Sequence, residues 1–190
     1  MKNIAASAVL ALAGGLMAVP SLATTLPPEL EPVLPQAMLS GQANMTFWGL
    51  DIYQATLWVA PGFVNTAYEQ SVFALELAYR RNFKGADIAK RSMAEMRHQA
   101  PLGAAQEARW ESQMSALFPD VKAGDRITGV HQPRTGAIFW SNGRLLGEIR
   151  DPAFAKLFFG IWLAPQTSEP QLRQALLAQA KAMDPGGNKP

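Results

Sequence analysis

The chain has 190 residues, 48% of them hydrophobic, with 17 basic and 15 acidic side chains and a formal net charge of +2. It contains no cysteine, which excludes a thiol nucleophile, a redox pair, disulfide bonds and cysteine metal ligands. Its basic residues form only short pairs such as Arg80-Arg81 and Lys90-Arg91. Because a nucleic-acid-binding surface needs a basic stripe with interleaved aromatic residues, we expect no nucleic-acid partner.

The N-terminus has the pattern of an export signal. Lys2 supplies a positive charge, the residues from Ile4 to Val19 form an apolar run, and Ser21-Leu22-Ala23 fits a small-x-small cleavage site. The alternative is an uncleaved anchor, but the run is short and interrupted by glycine, which disfavours a permanent membrane span. Residues 1–23 are therefore predicted to be a signal peptide cleaved after Ala23. This implies a periplasmic mature protein without stable membrane insertion.

The rest of the chain has the length of one domain. Residues 24–40 include four prolines, which predicts an extended lead-in. The domain itself is expected over residues 41–183, and the Gly/Pro-rich residues 184–190 are predicted to be a disordered tail.

Two strand regions are predicted at the start of the domain. After Gly41 we expect a long apolar strand, with strand material from Met45 to Val59 that is broken or bulged near Gly49. The alternation of large apolar and other residues from Phe73 to Tyr79 indicates a half-buried strand. Glu76 within it either faces solvent or is paired inside the protein.

Two helices are predicted next, from Gly85 to Gln99 and from Ala104 to Leu117. In the second, Trp110, Met114 and Leu117 recur at helical spacing, and Pro119 ends the helix because it disfavours helical geometry in the preceding residue.

The C-terminal part predicts three strands and two helices. Strand material returns from Arg126 to Val130, and Asn142-Gly143 between apolar runs is a strong hairpin signal. Asp151-Pro152 opens a helix with a capping carboxylate and a proline at its first position. The residues from Ser168 to Gln171 have the pattern of a capping box that opens a last helix.

The predicted element order is β-β-α-α-β-β-β-α-α. Such an order favours an α+β domain in which helices cover one side of an antiparallel sheet.

This order, with Phe159-Gly160-Ile161-Trp162 followed by Ser168-Glu169-Pro170 and Leu172-Arg173, resembles the chalcone isomerase-like family, specifically its exported bacterial branch. The resemblance covers the chain from Gly41 to Leu177. It implies an open-faced sandwich, in which a large sheet and a helical layer enclose a lipophilic cleft.

The resemblance also implies where functional residues would lie. Catalytic members hold the substrate oxyanion with an arginine on the early core strand, whereas this chain has no arginine before Arg80. The family's other cleft positions align with Tyr53, Ile88, Glu95 and Leu157, of which only Tyr53 keeps a hydroxyl in place of the family's strand threonine. We therefore expect no catalytic residue of the family, no cofactor and no metal, and consider these four as ligand-pocket candidates.

Three functions follow from these residues. The leading hypothesis is a non-catalytic exported protein that binds a small lipophilic molecule, a fatty acid or an aromatic compound, between sheet and helices. The second is an interaction module for an envelope protein partner, which would require a contiguous exposed apolar patch. The third is an isomerase or lyase that uses Glu95, Tyr53 or His131 as acid or base. For His131, the sequence favours an ordinary polar residue at a strand edge.

Overall fold

The computed structural model describes residues 25–180. The predicted signal peptide 1–23, the cleavage site at Ala23 and the predicted tail 184–190 lie outside the described residues, as do the last three residues of the predicted domain 41–183.

The described residues form one antiparallel sheet with a helical layer, which confirms the predicted α+β open-faced sandwich. Six strands follow one another in chain order across the sheet, so each pairs with its sequence neighbour. The strands are β1 Met38–Phe47, β2 Leu50–Val59, β3 Phe73–Tyr79, β4 Arg126–Gln132, β5 Gly136–Ser141 and β6 Arg144–Ile149. The helices are α1 Gly85–Gln99, α2 Ala104–Leu117, α3 Pro152–Leu163 and α4 Pro170–Leu176. None of the helices within residues 25–180 is both long enough and apolar enough to cross a membrane.

The early strand predicted up to Val59 is in fact a hairpin of two strands. Trp48 and Gly49 form its turn with φ angles of 52° and 75°, and Phe47 pairs with Leu50 across it. A positive φ at both central turn residues suits a two-residue hairpin, because its twist matches that of the flanking strands. The expected break near Gly49 marks this turn, but tryptophan seldom adopts positive φ, so the sequence did not reveal a full reversal.

The segment predicted to be an extended lead-in packs onto the sheet. It includes a 3₁₀ helix over Pro28–Leu30, and its last residues, from Met38, already belong to β1. Leu30 is 0% exposed, and Leu34 is also buried. Both lie on the sheet face opposite the main helical layer, in a small core that also contains Trp58, Ala74, Val130 and Trp140.

An ion-pair cluster attaches this segment to the sheet. The Arg126 guanidinium lies 2.8 Å from a carboxylate oxygen of Glu29 and 2.8 Å from one of Glu76. Glu76 is thus paired inside the protein, which decides between the two interpretations that its sequence left open.

Helix α3 begins as predicted. The Asp151 carboxylate accepts hydrogen bonds from the backbone N–H groups of Ala153 and Phe154 at 3.0 and 3.2 Å. The same side chain accepts a bond from Nε1 of the buried Trp110 at 2.9 Å, so one carboxylate both caps α3 and attaches it to α2.

Helix α4 does not begin with the predicted capping box. Its N-cap residue is Glu169, and no side chain caps the first turn. The Ser168 hydroxyl instead donates to Oε2 of Glu95 at 2.8 Å, a long-range contact that competes with local capping.

We predict that Leu30→Ala lowers the free energy of unfolding by about 2–5 kcal/mol, the usual range for deleting a buried leucine side chain. The matched control is Leu145→Ala, because Leu145 is 59% exposed and its truncation should cost less than about 0.5 kcal/mol. Urea denaturation of the three proteins measures both effects. Equal stabilities of the two variants would show that the N-terminal segment does not belong to the folded core.

Candidate ligand cavity

A cavity of about 380 Å³ lies between the helix-covered face of the sheet and helices α1 and α3. The first four strands form one wall, the two helices form the others, and the loop before α4 reaches one end. Most of its lining is aliphatic or aromatic, including Met45, Ile52, Leu77, Ile88, Phe118, Ile127, Phe158 and Ile161.

Two tyrosines from neighbouring strands stand on the sheet side of the cavity. Tyr53 and Tyr79 are direct cross-strand partners, with ring centroids 6.1 Å apart in an edge-on arrangement. The Tyr53 hydroxyl accepts a hydrogen bond from Nε1 of Trp162 at 2.9 Å. Burial raises the pKa of Tyr53 to about 12 and raises that of Tyr79 as well, so both hydroxyls keep their protons at physiological pH.

A buried carboxylate stands on the helix side. Glu95 of α1 is only 8% exposed. One of its oxygens pairs with the Arg91 guanidinium one turn earlier, and the other accepts the Ser168 hydroxyl at 2.8 Å. A buried charge requires such compensation, and here it comes from the Arg91 cation and the Ser168 hydroxyl, each of which contacts a different oxygen of Glu95.

Three of the four residues predicted from the family positions line this cavity: Tyr53, Ile88 and Glu95. Leu157 does not, and its neighbour Phe158 takes that place. Successive helical residues point about 100° apart, so an alignment error of one residue moves a side chain off the cavity wall. As ligand contacts, the four residues stay predictions.

His131 lies elsewhere and is not the polar edge residue expected from the sequence. It is buried on the central strand β4, where its ring stacks on that of Phe73 with the ring centroids 4.8 Å apart. Its Nδ1 lies 2.9 Å from the Ser71 carbonyl oxygen, and burial lowers its pKa. His131 does not line the cavity, so it cannot act there together with Glu95 and Tyr53 as acid or base.

Sequence reasoning did not place six polar members of the lining at the cleft: Tyr79, Asp87, Arg91, Ser92, Ser168 and Glu169. For Arg91 a signal was available, because an arginine four residues before a glutamate on a helix can form an ion pair with it. The contact of Ser168 joins residues 73 positions apart, and no local pattern announces it.

Three comparisons place the chain among known proteins. A family model described as chalcone isomerase-like matches residues 33–178. An uncharacterized protein of Haemophilus influenzae is 27% identical over 144 residues, which cover 75% of this chain and 68% of that protein. The crystal structure of a fatty-acid binding protein from Arabidopsis thaliana superposes with a TM-score of 0.64 at 10% identity, covering 78% of this chain and 90% of that one. At that identity the superposition shows the fold alone.

We predict that none of the three tyrosines ionises near pH 10 in the folded protein. Burial raises the pKa of Tyr53 and that of Tyr68 to about 12, and that of Tyr79 still further. An ultraviolet titration of phenolate absorbance measures this, with urea-unfolded protein as the control, in which all three tyrosines should ionise near pH 10. A tyrosine that titrates normally while circular dichroism still reports native structure would contradict the buried placement.

Proposed function

The chain belongs to the chalcone isomerase-like family, and from that premise we propose that it is an exported, non-catalytic protein that binds a small lipophilic molecule between sheet and helices. The observation that carries the proposal is the cavity of about 380 Å³, which lies within the size range of small-molecule sites. Its mostly apolar lining with a few polar groups is typical of such sites.

The cleft stays open although bulky residues surround it. Helix α3 carries three bulky side chains that could fill it, Phe154, Leu157 and Phe158. Phe154 packs in the core and Phe158 forms part of the wall, while Leu157 lies outside the lining. The family architecture therefore provides space for a ligand in this chain.

The polar groups favour binding over catalysis. Tyr53 keeps its proton, and Glu95 is engaged by Arg91 and Ser168. The arginine that catalytic relatives place on the early strand has no counterpart before Arg80. A proton acceptor that is already paired and a phenol with a raised pKa are poorly matched to acid–base chemistry at neutral pH.

The lipophilic class has support from a structural neighbour, since the similarly folded Arabidopsis protein is described as a fatty-acid binding protein. Export has support from the sequence alone, because the positive, apolar and small-x-small regions over residues 1–23 have the order of a signal peptide.

A second candidate function is an interaction module for an envelope protein. Its support is the tip of the β1–β2 hairpin, where Phe47, Trp48 and Leu50 are exposed next to one another. Trp48 is 89% exposed. Contiguous exposed apolar residues of this kind are typical of interaction sites.

We predict that the neutral dye Nile red binds the protein and that Ile88→Phe weakens this binding at least about tenfold, because the larger ring occupies cavity volume. The measurement is a fluorescence titration. The matched control is Leu157→Phe, also a helical residue packed beside the core but outside the cavity, which should bind Nile red like the wild type. If both variants bound equally, the dye site would lie elsewhere; if wild type bound no dye, the proposal would lose its basis.

We also predict that protein isolated from the periplasm of its own host begins at Thr24. Intact mass spectrometry measures the N-terminus, and a native spectrum of the same sample reports whatever accompanies the chain. An additional small mass that organic solvent releases supports ligand binding, whereas a bound second protein favours the interaction module. A mass that includes residues 1–23 would refute cleavage after Ala23.

A further inference from the structure

The cavity contains hydrogen-bond donors that no protein group uses. Tyr79 is 4% exposed, and none of the residues over 25–180 hydrogen-bonds its hydroxyl. The Tyr53 hydroxyl accepts from Trp162 but donates to no described group, so its proton is also available. Both tyrosines line the cavity, so a ligand acceptor within it gains hydrogen bonds that no described protein group takes up.

The two tyrosines are neighbours on the cavity wall, with ring centroids 6.1 Å apart. They are cross-strand partners on β2 and β3, and both line the cavity on its sheet side. A carbonyl oxygen has two lone pairs and accepts two hydrogen bonds, so its chemistry matches a pair of donors.

The charges around the cavity disfavour an anion. Asp87, Glu95 and Glu169 contribute three carboxylates to the lining, and Arg91 contributes its single guanidinium. Arg91 is already paired with Glu95. A ligand carboxylate that recruited Arg91 would leave Glu95 buried with only the Ser168 hydroxyl, at a large desolvation cost.

We propose that the cavity selects an uncharged lipophilic molecule with a carbonyl oxygen, such as an alkyl ester or ketone, which Tyr53 and Tyr79 bind, and that it discriminates against ionised fatty acids. This inference rests on the proposed function and specifies the ligand class of the same cavity. The proposed ligand differs from an ionised fatty acid, although the chain shares its fold with a fatty-acid binding protein.

The test is displacement of the neutral dye N-phenyl-1-naphthylamine, which has no carbonyl group, by two ligands with the same acyl chain, methyl dodecanoate and dodecanoate, at neutral pH and low salt. Below the critical micelle concentration of dodecanoate and the solubility limit of the ester, the ester should displace the dye at a concentration at least about tenfold lower than dodecanoate, because it accepts two hydrogen bonds without bringing a charge to the carboxylates.

Two variants connect this preference to named residues. Tyr79→Phe should weaken ester binding about fivefold or more while binding of this carbonyl-free dye is retained, since only a hydroxyl is lost. Tyr68→Phe is the matched control, because Tyr68 lies outside the cavity and its hydroxyl contacts the Lys156 carbonyl. The double variant Asp87→Asn/Glu169→Gln removes two of the carboxylates. It should therefore bind dodecanoate more tightly, relative to the ester, than the wild type does.

The outcomes separate the two proposals. Displacement by dodecanoate at the same or a lower concentration than the ester would overturn the inference and leave lipophilic binding intact. If Tyr79→Phe preferred the ester over dodecanoate as strongly as the wild type does, that result would also overturn the inference. Failure of the wild type to bind Nile red or either lipid would remove the proposed function itself.

Discussion

The packing of helix α3 against the sheet determines which part of the interior is filled and which part stays open. Phe159 contacts the rings of Phe73 and His131 edge-on, with ring-centroid distances of 5.0 and 5.5 Å. One residue earlier, Phe158 contacts Phe139 at 5.2 Å and closes the aromatic cluster. One turn further along α3, Trp162 donates a hydrogen bond to Tyr53 and lines the open cavity together with Ile88 of α1.

The same helix–sheet packing explains why the polar groups of the cavity differ in their freedom. Trp162 is fixed by the core, and its indole N–H orients the Tyr53 hydroxyl. Glu95 is held from two directions, by Arg91 on its own helix and by Ser168 from the loop before α4. The Glu95–Ser168 contact therefore connects α1 to the loop at one end of the cavity. The charges of Glu95 and Arg91 compensate each other, whereas donors on the sheet side remain available to a ligand.

Sequence reasoning succeeded where structure depends on local chemistry. The sequence predicted the bounds of α1 and α2 and the hairpin turn at Asn142-Gly143. Turn residues and a proline lie within a few positions of these features, so the local sequence indicates them. It failed where a distant contact decides the outcome. Ser168 has the sequence of a capping residue but bonds Glu95, and Trp48 occupies a left-handed turn position that its residue type seldom adopts. The pocket positions came from the family resemblance; three of them line the cavity, whereas at the fourth the lining residue is Phe158, the neighbour of Leu157.

A shared fold does not transfer a shared site chemistry, and the position of the cation illustrates why. In catalytic relatives the resemblance places an arginine on the early strand, facing the cleft from the rigid sheet. Here the guanidinium that lines the cavity belongs to Arg91 on α1, and Glu95 one turn later neutralises it. The sheet side instead presents the neutral donors of Tyr53 and Tyr79. A positive charge that lies on a helix and is paired with a carboxylate gives the cleft a different electrostatic character within the same fold, and our proposal of an uncharged ligand rests on that difference. The charge balance of the lining is therefore a better guide to this chain's ligand than the architecture that encloses it.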